Sequence, residues 1–135
     1  MPEFDDTEMT LDPPGTLAVV GAGPTGIEAA LYGRYLGYDV TLIESESVCY
    51  SLRDRHEQPL PMLPDRCLSP LALSALRAQS ADAESRILPV TYGQWVEQAW
   101  IPLTESDLLA GRLQAPARVV SITTVPIEPD DAGHH

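Results

Sequence analysis

The amino-acid sequence predicts an α/β fold built on a parallel sheet of about three strands. Two observations support this prediction. A short apolar run over residues 16–20 ends at a glycine, and a helical pattern over 25–37 then leads into a second apolar run over 39–44. Strand, helix and strand in this order form a βαβ unit, whose crossover is right-handed. A chain of 135 residues, 44% of them hydrophobic, is long enough for one domain with its own core.

Each element of this unit has its own local signal. The first run is bounded by Pro13-Pro14-Gly15 and Gly21, which is typical of a strand buried in a parallel sheet. In the helix, one face carries Ile27, Ala30 and Leu31, with Tyr35 further along it, and Gly37 supplies the stop.

A helical insertion is predicted between the second strand and the third. One helix, over 68–79, begins with Ser69 as N-cap and Pro70 at its first position. A second helix, over 92–103, carries an apolar stripe with both tryptophans, which favours a core position; Pro102 limits its length. The third strand is predicted over 118–123, with strand order 3-2-1. This gives an acidic tail over 1–15, the domain over 16–125 and a flexible tail over 126–135.

The charge balance excludes several classes of partner. Eight Lys and Arg residues against 20 Asp and Glu give a net charge of −12, which argues against nucleic acid and anionic membranes as partners. No apolar run approaches the ~20 residues of a membrane span, and the acidic amino terminus does not resemble a signal peptide. With only two cysteines, a reducing cytoplasmic location is predicted.

One glycine-rich motif lies between the first strand and the first helix. Its residues are Gly21, Ala22, Gly23, Pro24, Thr25 and Gly26, a GxGxxG pattern. The first glycine turns the chain sharply, the second leaves room for a pyrophosphate, and the third lets helix and strand pack closely. Backbone N–H groups at the start of the helix would then face the phosphates. These six residues are predicted to bind a dinucleotide.

An acidic residue completes the pattern at the end of the second strand. Glu44 lies 18 positions after Gly26, where a carboxylate accepts the hydroxyls of an adenosine ribose, and Ser45 next to it is placed in the same site. A carboxylate there repels the extra phosphate of NADP, so FAD or NAD is favoured. The alternative is a glycine-rich turn of an ordinary α/β protein without a ligand.

Residues 16–44 resemble the amino-terminal FAD-binding segment of flavoprotein oxidoreductases with two dinucleotide-binding domains. This family includes flavin-dependent monooxygenases and pyridine-nucleotide disulfide reductases. The segments around Leu68-Ser69-Pro70-Leu71 and Trp100-Ile101-Pro102-Leu103 look more like the monooxygenase branch. The resemblance implies a partial Rossmann-like fold and oxidoreductase activity, and it implies that the third-strand backbone at Val119 and Val120 lies beside the adenine. The family's second glycine-rich motif, for NAD(P)H, does not occur in this chain.

No catalytic residue and no metal site are predicted. Cys49 and Cys67 are 18 residues apart, whereas the disulfide reductases need five, so both are interpreted as ordinary thiols. His56 is interpreted as a solvent-exposed loop residue. Arg53 and Arg55 are able to approach the phosphates or the ribose, but pairing with surface carboxylates is favoured for both.

Two functions of different classes follow. The first is an FAD-binding domain, with NAD as second choice, of an oxidoreductase that does not turn over substrate alone. The alternative is a non-catalytic, truncated nucleotide-binding or interaction module. Because a fourth strand is missing, the edge of the first strand is predicted to be exposed. Self-association is therefore expected, or a partner chain that supplies the missing half.

Overall fold

The predicted βαβ unit is present in the computed structural model, which describes residues 15–61, 67–79 and 90–126. Strand β1 spans Thr16–Val20, helix α1 spans Pro24–Tyr35 and strand β2 spans Asp39–Ile43. The two strands are parallel, with Thr16 opposite Asp39 and Val20 opposite Ile43. The chain leaves α1 through Gly37, whose φ of 97° belongs to the left-handed region that glycine tolerates.

Helix α1 lies unusually close to one face of the sheet because it presents a glycine there. A Cβ atom at Gly33 would lie 2.9 Å from Val40 Cγ2 and 3.1 Å from Leu17 Cδ1. Ile27, Ala30 and Leu31 are fully buried on the same side of the helix. Tyr35, which was expected on this face, is instead 66% exposed, since it is the last residue of the helix and lies beyond the packed turns.

The long connection after β2 contains the helical insertion. A 3-10 helix, Tyr50–Arg55, is followed by helix α2, Pro70–Gln79. Ser69 caps α2 through its hydroxyl, which accepts the Ala72 N–H at 3.0 Å. The same residue is held by Glu28 of α1, because one carboxylate oxygen accepts the Ser69 hydroxyl at 2.5 Å and the other accepts the Ser69 N–H at 2.9 Å. The insertion is thereby tied directly to the first helix.

Helix α3 changes its winding along its length. It is α-helical over Tyr92–Trp95, π-helical over Val96–Trp100 and α-helical again over Ile101–Thr104. Pro102 has no N–H to donate to the carbonyl four residues earlier, and the Ile101 N–H donates to the Val96 carbonyl five residues earlier. Both tryptophans are buried and meet edge to face at 5.1 Å between ring centroids, which confirms their core position.

The predicted third strand over 118–123 is wrong. Strand β3 is the short segment Leu113–Gln114, which pairs in parallel with β2 and completes the order β1-β2-β3. Arg112 anchors it, donating from Nη1 to Asp39 Oδ1 at 2.6 Å. Residues 113–117 occupy the available edge of β2, so nothing is left there for 118–123, which form no regular structure. The α/β class, the parallel sheet and the strand order are confirmed.

Strand β1 lies at the opposite edge of the sheet. Among the described residues no strand pairs with its outer side, and its side chains are mostly exposed, including Leu17 at 40% and Val20 at 60%. Pairing of this edge with a second chain stays a prediction. Most of the two predicted tails, 1–14 and 127–135, lies outside the described residues. In the described part of the chain no helix is long and apolar enough to cross a membrane.

Candidate dinucleotide-binding site

The glycine turn begins where β1 ends. The Gly21 N–H donates to the Ile43 carbonyl at 2.7 Å, and a φ of 103° then turns the chain away from the sheet. A Cβ atom at Gly26 would overlap the Gly21 carbonyl oxygen and lie 3.6 Å from Val19 Cγ1. The first and last glycines of the motif therefore touch each other, which brings the start of α1 against the end of β1.

The middle glycine faces open space. Gly23 is the N-cap of α1, with an extended backbone (φ −87°, ψ −175°), and a Cβ atom there would meet no atom within 4 Å. No side chain caps the helix in the structure, and the first backbone bond inside it runs from the Ile27 N–H to the Gly23 carbonyl at 2.9 Å. The N–H groups of Thr25 and Gly26 therefore lie in the first turn of the helix, at the positive end of its dipole, where anions bind.

Glu44 lies against the same turn. Its Oε1 accepts the Ala22 N–H at 2.7 Å and its Oε2 accepts the Glu46 N–H at 2.9 Å. The carboxylate is buried at the end of β2, so it links that end to the glycine turn. Sequence reasoning placed Glu44 near the turn but missed this bond to Ala22. Each carboxylate oxygen keeps a second lone pair that these two bonds leave unused.

Strand β3 and the residues after it are bonded to the backbone of Glu44. The Glu44 N–H donates to the Gln114 carbonyl at 2.9 Å, and the Ala117 N–H donates to the Glu44 carbonyl at 2.8 Å. The next residue of the predicted site, Ser45, is half-buried.

Val119 and Val120 do not lie where their assignment required. Their proposed contact with the adenine was tied to the third strand, and that position belongs to Leu113 and Gln114. Val119 is half-buried and Val120 is 87% exposed, because both follow the end of the sheet in irregular chain. A contact between these two valines and a cofactor stays a prediction without a strand to support it.

Cys49 is bonded to the glycine turn. Its N–H donates to the Ala22 carbonyl at 2.8 Å, and its backbone adopts a φ of 57°, which is uncommon for a residue with a side chain. Burial, together with the nearby Glu44 carboxylate, raises the pKa of the Cys49 thiol to about 12. The thiol is therefore neutral at physiological pH, whereas a redox-active cysteine needs its thiolate.

We expect Cys49 to resist alkylation in the folded protein. At pH 8 the raised pKa leaves almost no thiolate, so iodoacetamide should label Cys49 far more slowly in native protein than in urea. Mass spectrometry of a Cys67→Ser variant measures this rate for Cys49 alone. Labelling at equal rates with and without urea would contradict the burial of this thiol.

The other candidate residues, Arg53 and His56, lie in and just after the 3-10 helix. The Arg53 guanidinium lies 3.7 Å above the Tyr50 ring and donates to the Tyr50 carbonyl at 2.9 Å. Its expected pairing with a surface carboxylate stays a prediction. His56 is exposed, as predicted, and its ring packs on Gly93. No group of three or more His, Cys, Asp or Glu residues able to hold a metal occurs in the described part of the chain.

Comparison with known protein families identifies a relationship over the amino-terminal part. Residues 3–59 match the family described as pyridine nucleotide-disulphide oxidoreductase. The matched segment contains the glycine turn, Glu44 and Cys49, and it confirms the resemblance to flavoprotein oxidoreductases. Neither curated proteins nor solved structures gave a match to this chain.

Proposed function

Since residues 3–59 match this oxidoreductase family, we propose that the domain over 16–125 binds an adenine dinucleotide, with FAD preferred and NAD second. One observation carries the proposal. The uncapped start of α1 and the Glu44 carboxylate lie at the carboxyl end of strands β1 and β2 and are joined by the bond between the Ala22 N–H and Glu44. A helix start of this kind recognises the pyrophosphate of a dinucleotide, and a carboxylate in this position recognises its ribose.

The residues present fit this group. Open space at Gly23 allows a pyrophosphate to approach the backbone, and the N–H groups of Thr25 and Gly26 would donate to its oxygens. Glu44 would accept the ribose hydroxyls through the lone pairs that the Ala22 and Glu46 N–H groups leave unused. When bound, the cofactor supplies the electron transfer, while the protein positions it.

The reaction class is proposed to be flavin-dependent and monooxygenase-like rather than dithiol-based. Cys49 is a neutral thiol and the next cysteine is 18 residues away, so the chain does not have the cysteine spacing of the disulfide reductases. The insertion of α2 and α3 between β2 and β3 supports the monooxygenase-like branch. No catalytic residue is assigned.

A non-catalytic binding module is the second candidate. It is favoured by the exposed outer side of β1, where apolar side chains lie beside backbone groups that no described strand pairs. Purified protein distinguishes the two functions after anaerobic reconstitution with FAD. Bound flavin, seen by its visible absorbance, supports the oxidoreductase domain, whereas protein that stays colourless supports the interaction module. Failure to bind either FAD or NAD would refute the dinucleotide site.

Replacing Glu44 by glutamine is expected to lower selectivity against NADP. Removing the charge should narrow the difference in binding free energy between NAD and NADP by ~1–3 kcal/mol, the typical contribution of a charged hydrogen bond. The glutamine NH₂ group would also face the N–H of Ala22 or of Glu46, so that two donors meet and one hydrogen bond is lost. The site should be less well held, and all dinucleotides should bind more weakly. The ratio of the NAD and NADP affinities from calorimetric titration is therefore the informative quantity.

Glu28→Gln is the matched control for this substitution. Glu28 also accepts two hydrogen bonds, but its partner is Ser69 and not the glycine turn. We expect lower stability and an unchanged NAD to NADP ratio. Equal affinities for NAD and NADP in the unmodified protein would contradict the role of Glu44 at the ribose.

A further inference from the structure

Two acidic residues and one arginine lie near the end of β2. Glu46 follows Glu44 by two residues, and its N–H donates to Glu44 Oε2 at 2.9 Å. Arg118 is brought close to Glu46 by its neighbour Ala117, whose N–H donates to the Glu44 carbonyl at 2.8 Å. The Arg118 Nη2 atom lies 3.6 Å from Glu46 Oε2. Arg118 thus lies beside the Glu46 carboxylate, and Glu46 is bonded through its N–H to the Glu44 carboxylate at the proposed ribose end of the site.

We infer that Glu46 and Arg118 form a second determinant of selectivity against 2′-phosphorylated dinucleotides, in which Glu46 holds the Arg118 guanidinium away from the 2′ position. This inference rests on the proposed function and deepens it. Glu44 recognises the ribose hydroxyls, whereas Glu46 acts through Arg118 and is a positioning residue. The sequence patterns did not reveal the pair, because its members are 72 residues apart and neither belongs to a motif.

The physical basis is competition for one cation. A guanidinium presents parallel N–H donors that match a phosphate as well as a carboxylate, so a released Arg118 is suited to bind a 2′-phosphate. The ion pair with Glu46 neutralises that charge, and the Glu46 carboxylate adds repulsion of its own. The two side chains are 70% and 42% exposed, so solvent screens the pair and a phosphate is able to displace it once Glu46 is neutral.

Two ligands that differ only at the 2′ position test the inference: ADP-ribose and 2′-phospho-ADP-ribose. Glu46→Gln should strengthen binding of the phosphorylated ligand by about tenfold while leaving ADP-ribose within about twofold. Arg118→Gln should leave the Glu46 carboxylate without its ion-pair partner, so its repulsion should weaken binding of the phosphorylated ligand alone. The double variant should lose the gain seen in Glu46→Gln, and that gain should shrink in 0.5 M NaCl because it is electrostatic.

Two controls and three outcomes make the result decisive. Glu97→Gln and Arg77→Gln change the net charge equally at exposed positions of α3 and α2, so they should leave the ratio of the two affinities unchanged. The inference is overturned if Glu46→Gln shifts both ligands equally, or if the gain persists in the double variant. If the unmodified protein binds neither ligand, the proposed function itself fails, and this is seen before any variant is made.

Discussion

Gly26→Val is expected to destabilise the fold by at least ~3 kcal/mol, the upper part of the range for an overpacked core position. The new Cβ would overlap the Gly21 carbonyl oxygen, which is backbone and unable to rotate away. A shift of this oxygen would disturb the turn at Gly21, whose N–H donates to the Ile43 carbonyl at 2.7 Å. Thermal unfolding followed by circular dichroism should show a Tm lowered by about 10 °C or more.

Gly26→Ala and Gly33→Ala are the companion variants. Gly26→Ala should already be strongly destabilising, because the overlap concerns the Cβ itself. At Gly33 the same added atom would lie 2.9 Å from a valine methyl and 3.1 Å from a leucine methyl, which are side-chain atoms able to shift, so the loss should be smaller. A Gly26→Val variant that melts like the unmodified protein would contradict the close packing of α1 on β1.

Gly23→Val is expected to abolish dinucleotide binding while the protein stays folded. The backbone at Gly23 is extended and a Cβ atom there meets nothing within 4 Å, so a side chain causes no strain in the protein itself. The valine would instead occupy the space that a pyrophosphate needs. We expect FAD and NAD affinities to fall by at least about 100-fold, or ~2.7 kcal/mol. Calorimetric titration measures the loss, and the Tm without ligand should change little.

Ala29→Val separates this effect from added bulk on α1. Ala29 is exposed on the same helix but lies beyond its first turn, so binding should be unchanged. Gly23→Ala should give an intermediate loss. Undiminished binding by Gly23→Val, with binding by the unmodified protein established, would exclude a phosphate at the glycine turn.

The βαβ unit was predictable because its signals are local. Each strand is a short apolar run with a glycine close to one of its ends, and the intervening helix is followed by Gly37, whose positive φ favours glycine. Strand bounds over 16–20 agree fully, and the second strand differs by one residue at its end. The spacing from the glycine turn to Glu44 likewise predicted that turn and carboxylate lie together.

The third strand was not predictable from the same signals. Residues 118–123 have the β-branched composition of a strand, but strand formation depends on an available edge. Leu113 and Gln114, directly after the turn at Gly111, pair with the free edge of β2. The bond from Arg112 to the Asp39 carboxylate holds them there. Pro116 then has no N–H to extend the ladder. Competition between two segments for one short edge cannot be seen in either segment.

Local patterns in the sequence were enough to predict the α/β class, the βαβ unit and the glycine turn, since hydrophobic period and turn chemistry act over a few residues. The tertiary structure alone decided which atoms those elements place in contact. Glu44 bonds the Ala22 N–H, Glu28 holds the cap of α2, and Arg118 lies beside Glu46. Such partners are 22 to 72 residues apart, and only the assembled sheet and the helices packed on it bring them within hydrogen-bond or ion-pair distance.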